Sequence, residues 1–135
     1  MKTTSRILLF ALLALATELI LSCAPPPVTI DDRLASFVTS LNGNRSDTYT
    51  NCDPNSSNYA AAKSPSVWDG YFAPGSEPFS IVPGYSTSNP AAVVVTLNGA
   101  GSFYGTYTFG FVNSPNMGSD NWLIGSIKQG VTTIF

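Results

Sequence analysis

Histidine is absent from the 135 residues, which removes the usual general base and the commonest metal ligand at neutral pH. Neither a Ser-His-Asp nor a Cys-His site can be assembled without it. Charge is scarce too: 6 Lys and Arg stand against 8 Asp and Glu, and charged residues make up 10% of the chain. That leaves no basic face for a phosphate backbone, so no nucleic-acid partner is expected. The only cysteines are Cys23 and Cys52. A zinc site built from two thiols and scattered carboxylates is not expected, and neither a metal nor a cofactor is assigned. The chain also lacks an apolar run long enough to span a bilayer, which takes about 20 residues. Ile7 to Ala16 gives ten before Thr17 and Glu18 interrupt, and Pro25, Pro26 and Pro27 block helical extension past Cys23.

What is present at the start has the plan of an export signal. Lys2 and Arg6 precede the apolar run, and small residues follow it. Two cut sites compete. Ala14-Leu15-Ala16 is a small-x-small site of the ordinary kind. Ile20-Leu21-Ser22-Cys23 has an aliphatic residue three before the cysteine and a small one just before it. This second stretch resembles the lipobox of bacterial lipoproteins. The resemblance implies a signal peptide over 1–22 and a diacylglycerol on the Cys23 thiol, which becomes the first mature residue. Residues 23–28 then form a tether, with Pro25-Pro26-Pro27 as an extended spacer. Ala24 in place of an aspartate implies, by the same resemblance, a bacterial envelope site at the outer membrane, with the domain outside the cytoplasm. If Cys23 carries lipid, Cys52 stands alone. If the cut falls after Ala16, the two could form a disulfide.

Residues 23–135 number 113 and suit one domain with one core, folded over 29–135. Seven acidic residues against four basic ones leave three more negative charges than positive in this part. In 30–42, Ile30, Leu34, Phe37, Val38 and Leu41 repeat at helical spacing. Thr29 suits an N-cap, Asp31 and Asp32 suit the positive helix end, and Asn42-Gly43 suits a stop. Residues 43–58 are polar and turn-rich. Two short helical pieces are expected at 57–63 and 65–71, with Pro65 in a first turn. From Pro78 the period becomes two. Strands are expected at 79–82, 92–97, 102–112 and 122–128, with a hairpin turn at Asn98-Gly99-Ala100-Gly101 and a bulge or bend at Gly105 or Gly110. The expected fold is α+β: an amphipathic helix and a short broken helix packed on a curved antiparallel sheet of about four strands.

The leading helix, the aromatic stretch VWDGYF (residues 67–72) and the closing NWLIGSIKQG (residues 121–130) together resemble the nuclear-transport-factor-like cone fold, with the cystatin-like domain as near neighbour. That resemblance covers most of 29–130 and implies an open cone. Trp68, Tyr71, Phe72, Tyr107, Phe109 and Trp122 then have two readings. Trp68, Tyr71, Tyr107 and Trp122 could line a small-ligand pocket, with Asp69 or Asp47 turned inward, since Tyr and Trp offer a flat face and a polar handle. The plainer reading is that the rings fill the core, as a small domain requires. Gly99-x-Gly101 joins two strands and reads as a hairpin, not a dinucleotide loop. Asp53-x-Asn55-x-Ser57 lacks the glycine and glutamate of a calcium loop and reads as a capped turn. Cys52 reads as a packed thiol. The resulting expectation is a lipid-anchored, non-catalytic structural or interaction domain. Its partners are the membrane through the lipid and a protein or second copy through the sheet face. The alternative is a ligand-binding or degenerate enzyme domain of the cone fold, and a surface adhesin using the loop at 113–121 is a third class.

Overall fold

The computed structural model describes residues 26–114 and 121–135, so the expected export signal, Cys23 and most of the 113–121 loop lie outside the described residues. Helix α1 runs Ile30–Asn42, as its spacing predicts, and buries Ile30, Leu34, Phe37, Val38 and Leu41. Its start is a reciprocal capping box: Asp32 N–H donates to Thr29 Oγ1 at 3.1 Å, and Thr29 N–H donates to Asp32 Oδ2 at 3.1 Å. Two otherwise orphaned backbone donors are thereby satisfied. Gly43 caps the far end with its N–H on the Thr39 carbonyl, at φ −111°, so the stop does not use a left-handed residue.

The turn-rich stretch after α1 holds an element that its composition hides, a 3₁₀ helix at Arg45–Asn51. Asn44 starts it by accepting the Ser46 N–H on its side-chain oxygen. The broken helix is real but shorter than expected: α2 is Tyr59–Ala62 and α3 is Pro65–Asp69, with Pro65 in the first turn.

The sheet is an open antiparallel meander in the order β1-β2-β3-β4-β5. Its strands are β1 Ser80–Ile81, β2 Val93–Asn98, β3 Tyr104–Asn113, β4 Trp122–Gln129 and β5 Thr132–Thr133. Four match the sequence expectation, and β5 is the addition. The β2–β3 turn sits at 99–103. Gly101 takes φ +69°, and a Cβ on Gly99 would lie 2.4 Å from the Ser76 carbonyl oxygen, so both positions need glycine. The expected irregularity falls between Gly110 and Phe111, where the β3–β4 register skips Gly125. That extra residue in β4 lets Ile124 and Ile127, three apart, both face the core.

Helix α1 lies on the inner face of the sheet. Phe37 is the centre of the core. Its ring meets Trp68, Phe72 and Phe109 edge-on, with centroids 5.6, 5.9 and 5.5 Å away. Such pairs add about 0.5–1.5 kcal/mol each beyond area burial. The outer edge of β4 is covered along its length. Trp122 N–H donates to Val28 O, Asp53 N–H to Ile124 O, and Ile127 N–H to Phe135 O, while β5 pairs with Lys128 and Gln129. The β2 edge differs, because β1 covers only Leu97 and Asn98, with one further bond from Val82 N–H to Thr96 O. Among the described residues no helix is long and apolar enough to cross a membrane.

Candidate functional site

Two of the four aromatic residues put forward for a pocket meet, and all four serve packing. Tyr107 arises from β3 on the inner face and is fully buried. Its ring lies against Phe72 at 4.9 Å, and its hydroxyl donates to the Tyr71 carbonyl at 3.0 Å. Burial pushes its pKa up to about 12, so it stays a neutral donor. Trp68, positioned by α3, is also fully buried. Its indole N–H donates to Ala62 O at 2.8 Å, and its ring contacts Phe37 and Phe135. Tyr71 is half-buried beside this group and contributes its backbone oxygen. Trp122 stands apart at the first residue of β4, half-buried at the rim, with its carbonyl accepting Arg33 Nε–H at 2.7 Å. Among the described residues no pocket opens.

Neither acid expected to face inward does so. Asp69 is drawn outward to Arg45 and keeps a side chain 40% exposed, and Asp47 is exposed, accepting from the Asn44 amide. Both are better solvated where they are than beside the rings, since an unpaired charge in that core would be costly.

The densest charged group was hidden from the sequence. Arg45, whose side chain is 11% exposed, reaches Asp69 Oδ1 at 2.6 Å, the Phe72 carbonyl at 2.5 Å and Glu77 Oε1. Its guanidinium also lies 5.7 Å from the Phe79 ring centre. Hydrogen bonds from its own backbone N–H and from Gly75 N–H, with the nearby Arg45 charge, hold the Glu77 carboxyl below its ordinary range. The guanidinium thus ties three separate segments together with charge-assisted hydrogen bonds. No local pattern announces this group, because Arg45 lies 24 and 32 residues from its acids.

Cys52 is 2% exposed and, among the described residues, has no disulfide partner. It forms an isolated parallel bridge with Ile124, and burial pushes its pKa up to about 12 despite the opposing charge of Arg33. At neutral pH it is therefore protonated and a poor nucleophile. Beside it, the buried Thr48 hydroxyl has no hydrogen-bond partner. Lys63 sits over the Tyr49 and Tyr59 rings, at 5.7 and 5.2 Å. Among the described residues no three Cys, Asp or Glu side chains gather as a metal site.

The outer sheet face has a different character. Val94 is 53% and Tyr104 69% exposed, and a Thr96–Thr106 hydroxyl pair at 3.1 Å lies between strands. Lys128 is the one charged side chain on β2, β3 and β4. No protein-family model, curated protein or solved structure matches this chain.

Proposed function

We propose that this chain is an exported lipoprotein whose α+β domain acts by surface contact, as a structural or interaction module of a bacterial envelope, and not by catalysis. The observation that carries the reading is the run Ile20-Leu21-Ser22-Cys23 followed at once by alanine and three prolines. A lipid attachment cysteine and a stiff spacer stand directly before a domain whose first described contacts are made at Val28. The favoured location is the outer membrane, with the domain outside the cytoplasm.

The way the aromatic residues are used also supports contact over ligand capture. The rings that a cone-fold pocket would need are spent on one another: Phe72 on Tyr107, and Phe37 on Trp68 and Phe109. Meanwhile the outer face offers Val94, Tyr104 and two threonine hydroxyls to a partner. The order of helix, broken helix and meander is what favours the cone-like or cystatin-like resemblance.

Replacing Cys23 by serine in the full chain tests the tether. The wild type is expected in the detergent phase and membrane pellet, and Cys23→Ser in the soluble fraction or as the uncut precursor. A Cys23→Ser chain that is cut to the wild-type length and still partitions with the membrane would refute the reading.

A further inference from the structure

The lipid anchor, if placed as proposed above, also sets which way the domain points. Only residues 24–27 separate Cys23 from Val28. Five Cα steps reach at most about 17 Å. At Val28 the chain is clasped: its N–H donates to Asn121 Oδ1 at 3.1 Å, and its carbonyl accepts Trp122 N–H at 3.1 Å. Trp122 pairs with Asn113, the last residue of β3. The first residue of that strand, Tyr104, lies nine steps away, about 30 Å at strand rise. The tether therefore leaves from one end of the sheet and is shorter than the sheet itself.

We propose that the Val28–Trp122 end of the domain rests on the lipid headgroup layer, and that the 99–103 hairpin with Tyr104 is held away from it. The proposal rests on the acylation of Cys23. The docked end has suitable chemistry. Pro26 and Pro27 are exposed, Val112 is 39% exposed, and Trp122, of a residue type that favours the membrane interface, is half-buried at the first residue of β4. Asp31 and Asp32 are exposed in the first turn of the adjoining helix, which favours a neutral headgroup over an anionic one.

Tryptophan quenching reads the orientation, because the other tryptophan, Trp68, is fully buried and serves as an internal reference. The acylated full chain is reconstituted in phosphatidylcholine vesicles carrying a headgroup spin-labelled lipid, and its acyl mass is checked on the same sample. Loss of emission is expected in the wild type and should vanish in Trp122→Phe, whose remaining Trp68 emission also reports folding. Adding Tyr104→Trp to that variant should restore emission that the lipid quencher does not reach. A long Gly/Ser spacer inserted after Pro27 should reduce the Trp122 quenching. An acylated protein whose Trp122 is untouched by the lipid quencher overturns the proposal alone. It does so whether aqueous iodide reaches the ring or a second copy covers it. Quenching at Tyr104→Trp equal to that at Trp122 also overturns it. A folded, membrane-bound protein with no acyl mass overturns the lipid reading beneath it.

Discussion

At one end of the sheet the chain is closed by hydrogen bonds that each use a backbone group; at the other it is closed largely by one guanidinium held between two acids. The tether end is held by the Val28 clasp, the Arg33 bond to Trp122 O, and the Thr29–Asp32 capping box. The hairpin end is held by Arg45 between Asp69 and Glu77, by the Phe72 carbonyl, and by Asn42, whose amide exchanges two bonds with the Phe79 backbone. Every bond of the first set has a backbone group as one partner, with charge entering only through Arg33 and the exposed Asp32 carboxylate. The second depends on carboxylates that face solvent, so salt and acid reach it. A domain hung from a membrane as proposed would be pulled at the Val28 clasp, where the chain is tied to Asn121 and Trp122.

The two ends share one core, and breaking that should exceed anything done at either end. Phe37→Ala removes three edge-on ring contacts and leaves a cavity, and should cost about 3–5 kcal/mol in denaturant unfolding. A loss below about 1 kcal/mol would mean the core does not centre there. Arg45→Met comes next. It strips Asp69, Glu77 and the Phe72 carbonyl of their shared donor, and should cost about 2 kcal/mol, toward the low end for bonds to charged groups because both acids are partly exposed. Hydrogen exchange should quicken around Phe72 and Phe79 while Trp122 stays protected. High salt should mimic the variant weakly, and uniform quickening would erase the contrast between the ends.

A smaller effect is expected from Thr29→Ala, which deletes the cap at the tether end and should cost about 1 kcal/mol with no change in salt dependence. The smallest concerns acid. The Thr29 hydroxyl, and then its backbone N–H, hold Asp32 below the usual carboxylate range. Backbone N–H groups and Arg45 do the same for Glu77. Each folded pKa lies below its unfolded value, so the stabilisation is complete above the unfolded values, near about 4, and is lost as pH falls through the folded ones. Thermal melts from neutral to acid pH should therefore fall less steeply in Asp32→Asn and in Glu77→Gln than in the wild type. Adding salt should shrink the Glu77 difference more than the Asp32 difference.

The parts of the fold that could be read from sequence are those whose physics is local. Helix α1 declares itself through period, cap and stop within fifteen residues, β2 through β-branched alternation, and the hairpin through glycines that only a turn requires. Even the β3–β4 irregularity was legible from the glycines in β3, although the extra residue proved to be Gly125 in β4. The 3₁₀ helix at Arg45–Asn51 was not, because no apolar period marks it and Thr48 and Asn51 are buried polar residues. β5 is two residues long, too short for alternation to register. The pocket reading shows a further limit. Period two places Tyr107 on the inner face, but whether space remains above it depends on Phe72 and Trp68, which arrive from elsewhere in the chain. The Arg45 group and the Val28 clasp are likewise long-range pairings with no local trace.

The central claim is chemical and concerns one thiol. Intact-mass and peptide mass spectrometry of the mature protein, taken from a membrane fraction, addresses it directly. The account predicts a chain that starts at Cys23 with a diacylglycerol mass added to that residue and with Cys52 as a free thiol. A mature chain that starts at Thr17, unmodified and with Cys23 and Cys52 joined in a disulfide, would contradict it.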